Sequence, residues 1–180
     1  MLIQAEQAAL LVVDIQSRLL PAMAAPEAVV ANTSKLMIAA ARLGVPILVS
    51  EQYPKGLGPS VPEIAALTPA GAVLEKNAFS CAGDAGIVAR VGELGRRQLV
   101  LAGIESHVCV LQTAIGFRAL GYEIAVAWDA TSSRREADRA LAADRLRAED
   151  VTLASVEMVL FEWLGRAGTP EFKEISALIK

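Results

Sequence analysis

The chain has 180 residues, enough for one domain with its own core and too few for two. Hydrophobic residues make up 54% but aromatics only 4%, so the core must be aliphatic, and a net charge of -3 excludes an acidic disordered tail and argues against a nucleic-acid partner. One His and two Cys can supply neither a zinc cage nor a disulfide scaffold, and leave His107 as the sole candidate for imidazole catalysis.

In chain order, the run from Ala8 to Val13 reads as a strand ending at Asp14. A helix is predicted from Pro26 to Leu43, stopped by Gly44, then a strand from Val45 to Ser50. The Pro/Gly-dense stretch that follows, EQYPKGLGPSVPE, reads as a lid over a site rather than a domain boundary. A third strand spans Ala72 to Glu75 and ends at Lys76; Asp84 is a helix N-cap, and that helix closes at Gly95. Gln98 to Ala102 is a fourth strand, Cys109 to Leu120 a helix, Glu123 to Ala127 a fifth strand. Ser133 to Glu136 has capping-box spacing, Val151 to Ala154 is a sixth strand, and Thr169-Pro170 opens the last helix. Strands alternating with helices predict an α/β fold: three layers, α/β/α, around a parallel sheet in one domain over 1–180. The N-terminus lacks the basic start of a targeting signal and no apolar run reaches about 18 residues, so a cytoplasmic protein with no membrane partner is expected.

Ligands of open parallel sheets bind outside the carboxyl ends of the strands, where strand order reverses. Three reactive side chains follow strands there: Asp14, Lys76 and Cys109. Each has a bland alternative. Asp14 could cap a turn or act as a general base; Lys76 could be solvated or could favour nearby carboxylate and thiolate forms. Cys109 could be an inert buried thiol, or a nucleophile lowered in pKa by the helix N-terminus it opens. His107, two residues earlier, is poorly placed to face Cys109, and a structural or pocket-lining part suits it better; Cys81 reads as packing or pocket edge. Tyr53, Phe79 and Trp128 are candidate pocket walls that could equally pack the core, and Gln16 is a candidate for orienting ligand or water. GLGPSV does not fit a dinucleotide fingerprint, and neither a phosphate-binding loop nor a serine-hydrolase elbow occurs.

The segments LLVVDIQ (10–16), EKNAFSC (75–81), LVLAGIESHVCVLQTA (99–114) and VAWDATSSR (126–134) resemble the isochorismatase-like cysteine hydrolases, which include nicotinamidase and N-carbamoylsarcosine amidohydrolase. EQYPKGLG (51–58) and the closing TPEFKEISALIK resemble the subgroup of isochorismatase-domain-containing proteins. The resemblance implies a six-stranded Rossmann-like sheet of order 3-2-1-4-5-6 and an Asp14, Lys76, Cys109 triad. It also implies a cis peptide at Ile104–Glu105 that serves an oxyanion site, and a border formed by Asp129 and Thr131–Ser133. The implied activity is hydrolysis of a small amide-like C–N bond through a thioester on Cys109. The alternatives are vinyl-ether hydrolysis, as in isochorismatase proper, and a non-catalytic binding or assembly protein with a relic pocket. Nicotinamidases of this family carry a carboxylate and two His after the second strand; residues 51–63 contain no His, so neither a metal nor another cofactor is expected. The expected partners are a small-molecule substrate and further copies of the chain, as a dimer or tetramer, with Phe161, Trp163, Leu164, Phe172 and Ile175 as candidate interface residues.

Overall fold

The computed structural model describes residues 1–179; Lys180, the end of the expected domain, lies outside the described residues. Six strands form: β1 Ala8–Val13, β2 Ile47–Gln52, β3 Val73–Lys76, β4 Gln98–Ile104, β5 Glu123–Ser132 and β6 Thr152–Ala154. They make one parallel sheet in the order β3-β2-β1-β4-β5-β6, as the sequence implied. The helices are α1 Pro26–Leu43, α2 Pro54–Leu57, α3 Pro62–Ala65, α4 Ala85–Glu93, α5 Leu111–Ala119, α6 Glu136–Ala148, α7 Val156–Leu164 and α8 Pro170–Ser176.

β1 is buried along its whole length, which is why AALLVV shows no polar alternation. Leu10 and Val12 join the core beneath α1, α7 and α8, while Leu11 and Val13 join the core beneath α4, α5 and α6. Each such fully buried aliphatic side chain is worth about 1.5–3 kcal/mol. Pro26 fits the first turn of α1, where a missing N–H costs nothing, and Gly44 ends it at φ 69°. At φ 115°, Gly103 brings β4 so close to β1 that a Cβ there would collide with the Val13 backbone. The sheet's two central strands therefore meet without a side chain between them at that point.

Several boundaries differ from expectation. β2 begins two residues late, since Pro46 has no N–H for the ladder, and runs on through Glu51 and Gln52. β5 extends five residues further because it bulges: Leu101 faces Val126, but Gly103 faces Thr131. The helix expected to open at Cys109 starts earlier, as a π-helical turn over Ser106–Val110 that runs into α5. The Ser133–Glu136 capping box does not form. Arg135 takes the N-cap of α6 without a side-chain bond, because the Ser133 hydroxyl is paired with His107. α7, whose bounds the sequence left open, is capped by the Ser155 hydroxyl, which accepts from the Met158 N–H at 3.1 Å. Trp163 and Ile175 pack the protein's own core rather than a free face, whereas Phe161 stays exposed beside Phe172. Among the described residues, no helix is long and apolar enough to cross a membrane.

Candidate active site

β1 and β4 are neighbours at the point where strand order reverses, and their carboxyl ends carry Asp14 and the Glu105–Cys109 turn. Asp14 leaves β1 in the left-handed region, φ 53°, a conformation non-glycine residues seldom adopt. Its N–H donates to the Ser50 carbonyl at 3.1 Å. Its side chain is fully buried and accepts from the Ser50 hydroxyl on Oδ1 and from the Lys76 ammonium on Oδ2, both at 2.7 Å.

Lys76 ends β3 and is equally buried. Besides Asp14 it donates to Gln52 Oε1 at 2.7 Å and to the Phe79 carbonyl at 3.1 Å. An ammonium has three N–H groups, so these three acceptors saturate it. A buried charge left unpaired would be costly, and the saturation removes that cost. Gln52 is held in turn by the Asn77 carbonyl and by Gln16. Gln16 donates to the carbonyls of Gln52 (3.0 Å) and Gly58 (2.6 Å) and accepts from the Gln52 N–H (2.8 Å). It therefore clasps the 52–58 segment instead of facing a ligand. Ser17 and Arg18 add backbone bonds to Pro59 and Leu57, and Glu51 accepts both the N–H and the hydroxyl of Ser60. The stretch expected to be a lid is fastened at both ends, because these side chains satisfy its backbone groups.

Cys109 is buried within the π-helical turn and lies in the core beneath α5. The thiol does not have the lowered pKa that a helix N-terminus would give. Desolvation, followed by the negative charge of Asp14, pushes it up to about 12, with Lys76 pulling only partly the other way. At neutral pH the thiol is therefore protonated. Cys81, also free and buried, belongs to the same surroundings. Burial raises its pKa, with the Lys76 charge pulling the other way. Its N–H donates to Thr113 Oγ1 of α5 at 2.9 Å, and Ser80 Oγ donates to the Gln112 carbonyl at 3.0 Å. These bonds fasten the segment after β3 to the helix that follows Cys109.

The opposite wall is half open. The peptide bond Ile104–Glu105 is cis. The Glu105 carboxylate accepts from Arg134 Nε at 3.0 Å, and His107 Nδ1 pairs with Ser133 Oγ at 2.9 Å, linking the ends of β4 and β5. Ile104 itself is buried in the core beneath α1. Tyr53 and Phe79 are exposed beside the buried pair, Tyr53 in a left-handed conformation and Phe79 through the carbonyl that Lys76 holds. Trp128 rides on the β5 bulge; Arg139 stacks over its ring at 4.5 Å and donates to its carbonyl. Asp129 turns away from the site and caps α7 through the Val156 N–H. Among the described residues, no three His, Cys, Asp or Glu are arranged to hold a metal ion.

Sequence reasoning did not single out Ser50 and Gln52. A signal existed: ILVSEQ is buried throughout, so three consecutive polar residues end a buried strand and each needs a partner.

Together, the doubly wound sheet and the carboxylate, ammonium and thiol gathered near its switch point define a class of α/β enzymes. The chain belongs to the isochorismatase-like hydrolases: the Isochorismatase domain model matches residues 8–158. It is 39% identical over 167 residues to isochorismatase domain-containing protein 1 of Salmo salar, covering 93% of this chain and 59% of that protein. It is 37% identical over 181 residues to isochorismatase domain-containing protein 2A of Mus musculus, covering 97% and 84%. The chain thus spans well under two thirds of the salmon relative. Among solved structures, a protein described as MAR1 ribonuclease from Caenorhabditis elegans superposes with a TM-score of 0.93 at 30% identity, over 99% of this chain and 92% of that one. The YcaC product of Escherichia coli, described as an octameric hydrolase of unknown specificity, gives 0.92 at 24% identity over 98% and 89%, a likeness of fold.

Proposed function

We propose that the chain is a cysteine hydrolase that cleaves a small amide-like C–N bond through a thioester on Cys109. One observation carries this reading: a neutral, buried thiol shares its surroundings with a fully buried carboxylate paired with an ammonium at 2.7 Å. Asp14 takes the Cys109 proton as Sγ attacks the substrate carbonyl carbon. The backbone N–H groups of Glu105 and Cys109 receive the oxyanion. Protonated Asp14 then gives its proton to the leaving nitrogen, the C–N bond breaks and the amine departs. Water attacks the thioester with Asp14 again as base, and the acid leaves as the thiol regains its proton. Because Lys76 has no free N–H, its part is to hold Asp14 in place rather than to bind substrate.

Tyr53, Phe79 and Trp128 supply apolar walls, and Gln16 acts at one remove by fixing the 52–58 segment. One domain, a cytoplasmic home and a homo-oligomer complete the proposal. The two free buried cysteines fit a reducing compartment, and the octameric E. coli relative supports assembly. The name of the worm relative raises RNA as a substrate, but a net charge of -3 does not favour a polyanion.

Intact-mass analysis after acrylamide treatment tests the nucleophile. One adduct is expected on wild type and on Cys81→Ala, and none on Cys109→Ala; equal labelling of the Cys109→Ala protein would remove Cys109 from the mechanism. A panel of small amides and ureido acids, with isochorismate alongside, then tests the bond. Pyruvate release that survives Cys109→Ala would replace C–N cleavage with vinyl-ether hydrolysis.

A further inference from the structure

Ser50 is the residue that holds Asp14 most closely. It lies on β2 beside Val13 of β1, and it grips the next residue twice. Its carbonyl accepts the Asp14 N–H at 3.1 Å, and its hydroxyl donates to Asp14 Oδ1 at 2.7 Å. Both side chains are wholly buried. The two bonds act on a residue whose φ of 53° is itself uncommon, so the grip fixes both the backbone turn and the carboxylate plane. With Lys76 on Oδ2, the carboxylate has one donor on each oxygen and a single orientation. A hydroxyl has one proton to give, and here it goes to the carboxylate; the titratable groups around that carboxylate are Lys76 from β3, Cys109 from the turn before α5, and Cys81 from the segment before α4.

We infer that Ser50 is a positioning residue for the base: its hydroxyl, with its carbonyl on the Asp14 N–H, fixes the carboxylate in one orientation and aims it at the Cys109 thiol. This rests on the reading of Asp14 as the base. Removing the hydroxyl leaves the main-chain bond, so the fold should survive while the carboxylate loses one of its two fixed donors and gains freedom.

The test follows the acrylamide labelling rate of Cys109 against pH in wild type, Ser50→Ala, Ser50→Thr and Asp14→Asn, with melting temperatures as a control. Ser50→Ala is expected to label about tenfold more slowly across the pH range. Ser50→Thr keeps a donor and should restore the rate. Asp14→Asn should be the slowest. A slow Asp14→Asn with Ser50→Ala identical to wild type overturns this inference alone. Asp14→Asn labelling at the wild-type rate overturns the base and the inference together. If Ser50→Ala does not fold, Ser50→Thr decides: a wild-type profile supports the hydroxyl, and a folded Thr variant as slow as Asp14→Asn overturns it.

Discussion

The wall of the site built from β1, β2 and β3 and the wall built from the ends of β4 and β5 solve different problems. On the first, Asp14, Ser50, Gln52 and Lys76 are buried, and their side chains bond to one another or to backbone. On the second, Glu105 is nearly buried, but its partner Arg134 is 60% exposed and His107 keeps 22% of its side chain in solvent. A charge that must stay fixed is placed where its partners cannot be exchanged for water. The groups that would meet a variable substrate are placed where they can.

Breaking the dry wall should cost most. Lys76→Met strands the Asp14 charge, with an expected loss of about 3–5 kcal/mol. In a chain of this size that lowers the melting temperature by roughly 10 °C, as thermal denaturation would show. Adding Asp14→Asn should return part of the loss; a double variant no more stable than the single one would mean the pair is not the source.

Next comes Gln16→Ala, which frees the carbonyls of Gln52 and Gly58 and the Gln52 N–H. About 1–3 kcal/mol is expected, together with faster tryptic cleavage at Lys55. Unchanged cleavage would show that the Ser17 and Arg18 bonds suffice to hold the segment.

A smaller effect concerns pH. Folding raises the Cys109 pKa from 9.0 to about 12, so on alkalinisation the unfolded chain releases that proton first. The contribution to stability is therefore present below pH 9.0 and is lost as pH rises toward about 12. Urea titrations from pH 8 to 10 should show wild type losing stability faster than Cys109→Ala. Parallel curves would contradict a thiol kept neutral by burial.

The smallest effect belongs to the open wall. Arg134→Ala should change stability by less than about 1 kcal/mol, because solvent screens an exposed ion pair. Acrylamide labelling of Cys109 should stay near the wild-type rate; a large fall would tie Arg134 to the dry wall after all.

Much of this contrast was legible in the sequence. Asp14, Lys76 and Cys109 each follow a strand, and strand ends are visible as apolar runs that stop. The sheet order followed from the family resemblance, and the structure has that order. What escaped notice depends on bonds between distant residues. Gln16 and Gln52 are 36 positions apart and Asp14 and Lys76 are 62 apart, and such pairings leave no periodic trace. The β5 bulge was hidden because VAWDATSS reads as a strand that stops at Ala127 when its partner's register is unknown. The sequence left the thiol open between an inert buried Cys and one lowered by a helix terminus, because a helix terminus is visible in sequence, whereas burial beside Asp14 is not.

The saturation of Lys76 has a consequence for inhibitor chemistry. A carboxylate or phosphate warhead would ordinarily seek a buried cation, but this ammonium could receive it only by releasing Asp14, Gln52 or the Phe79 carbonyl. Affinity should therefore be sought with uncharged electrophiles of amide size that meet a neutral thiol, and selectivity with groups that reach the open wall.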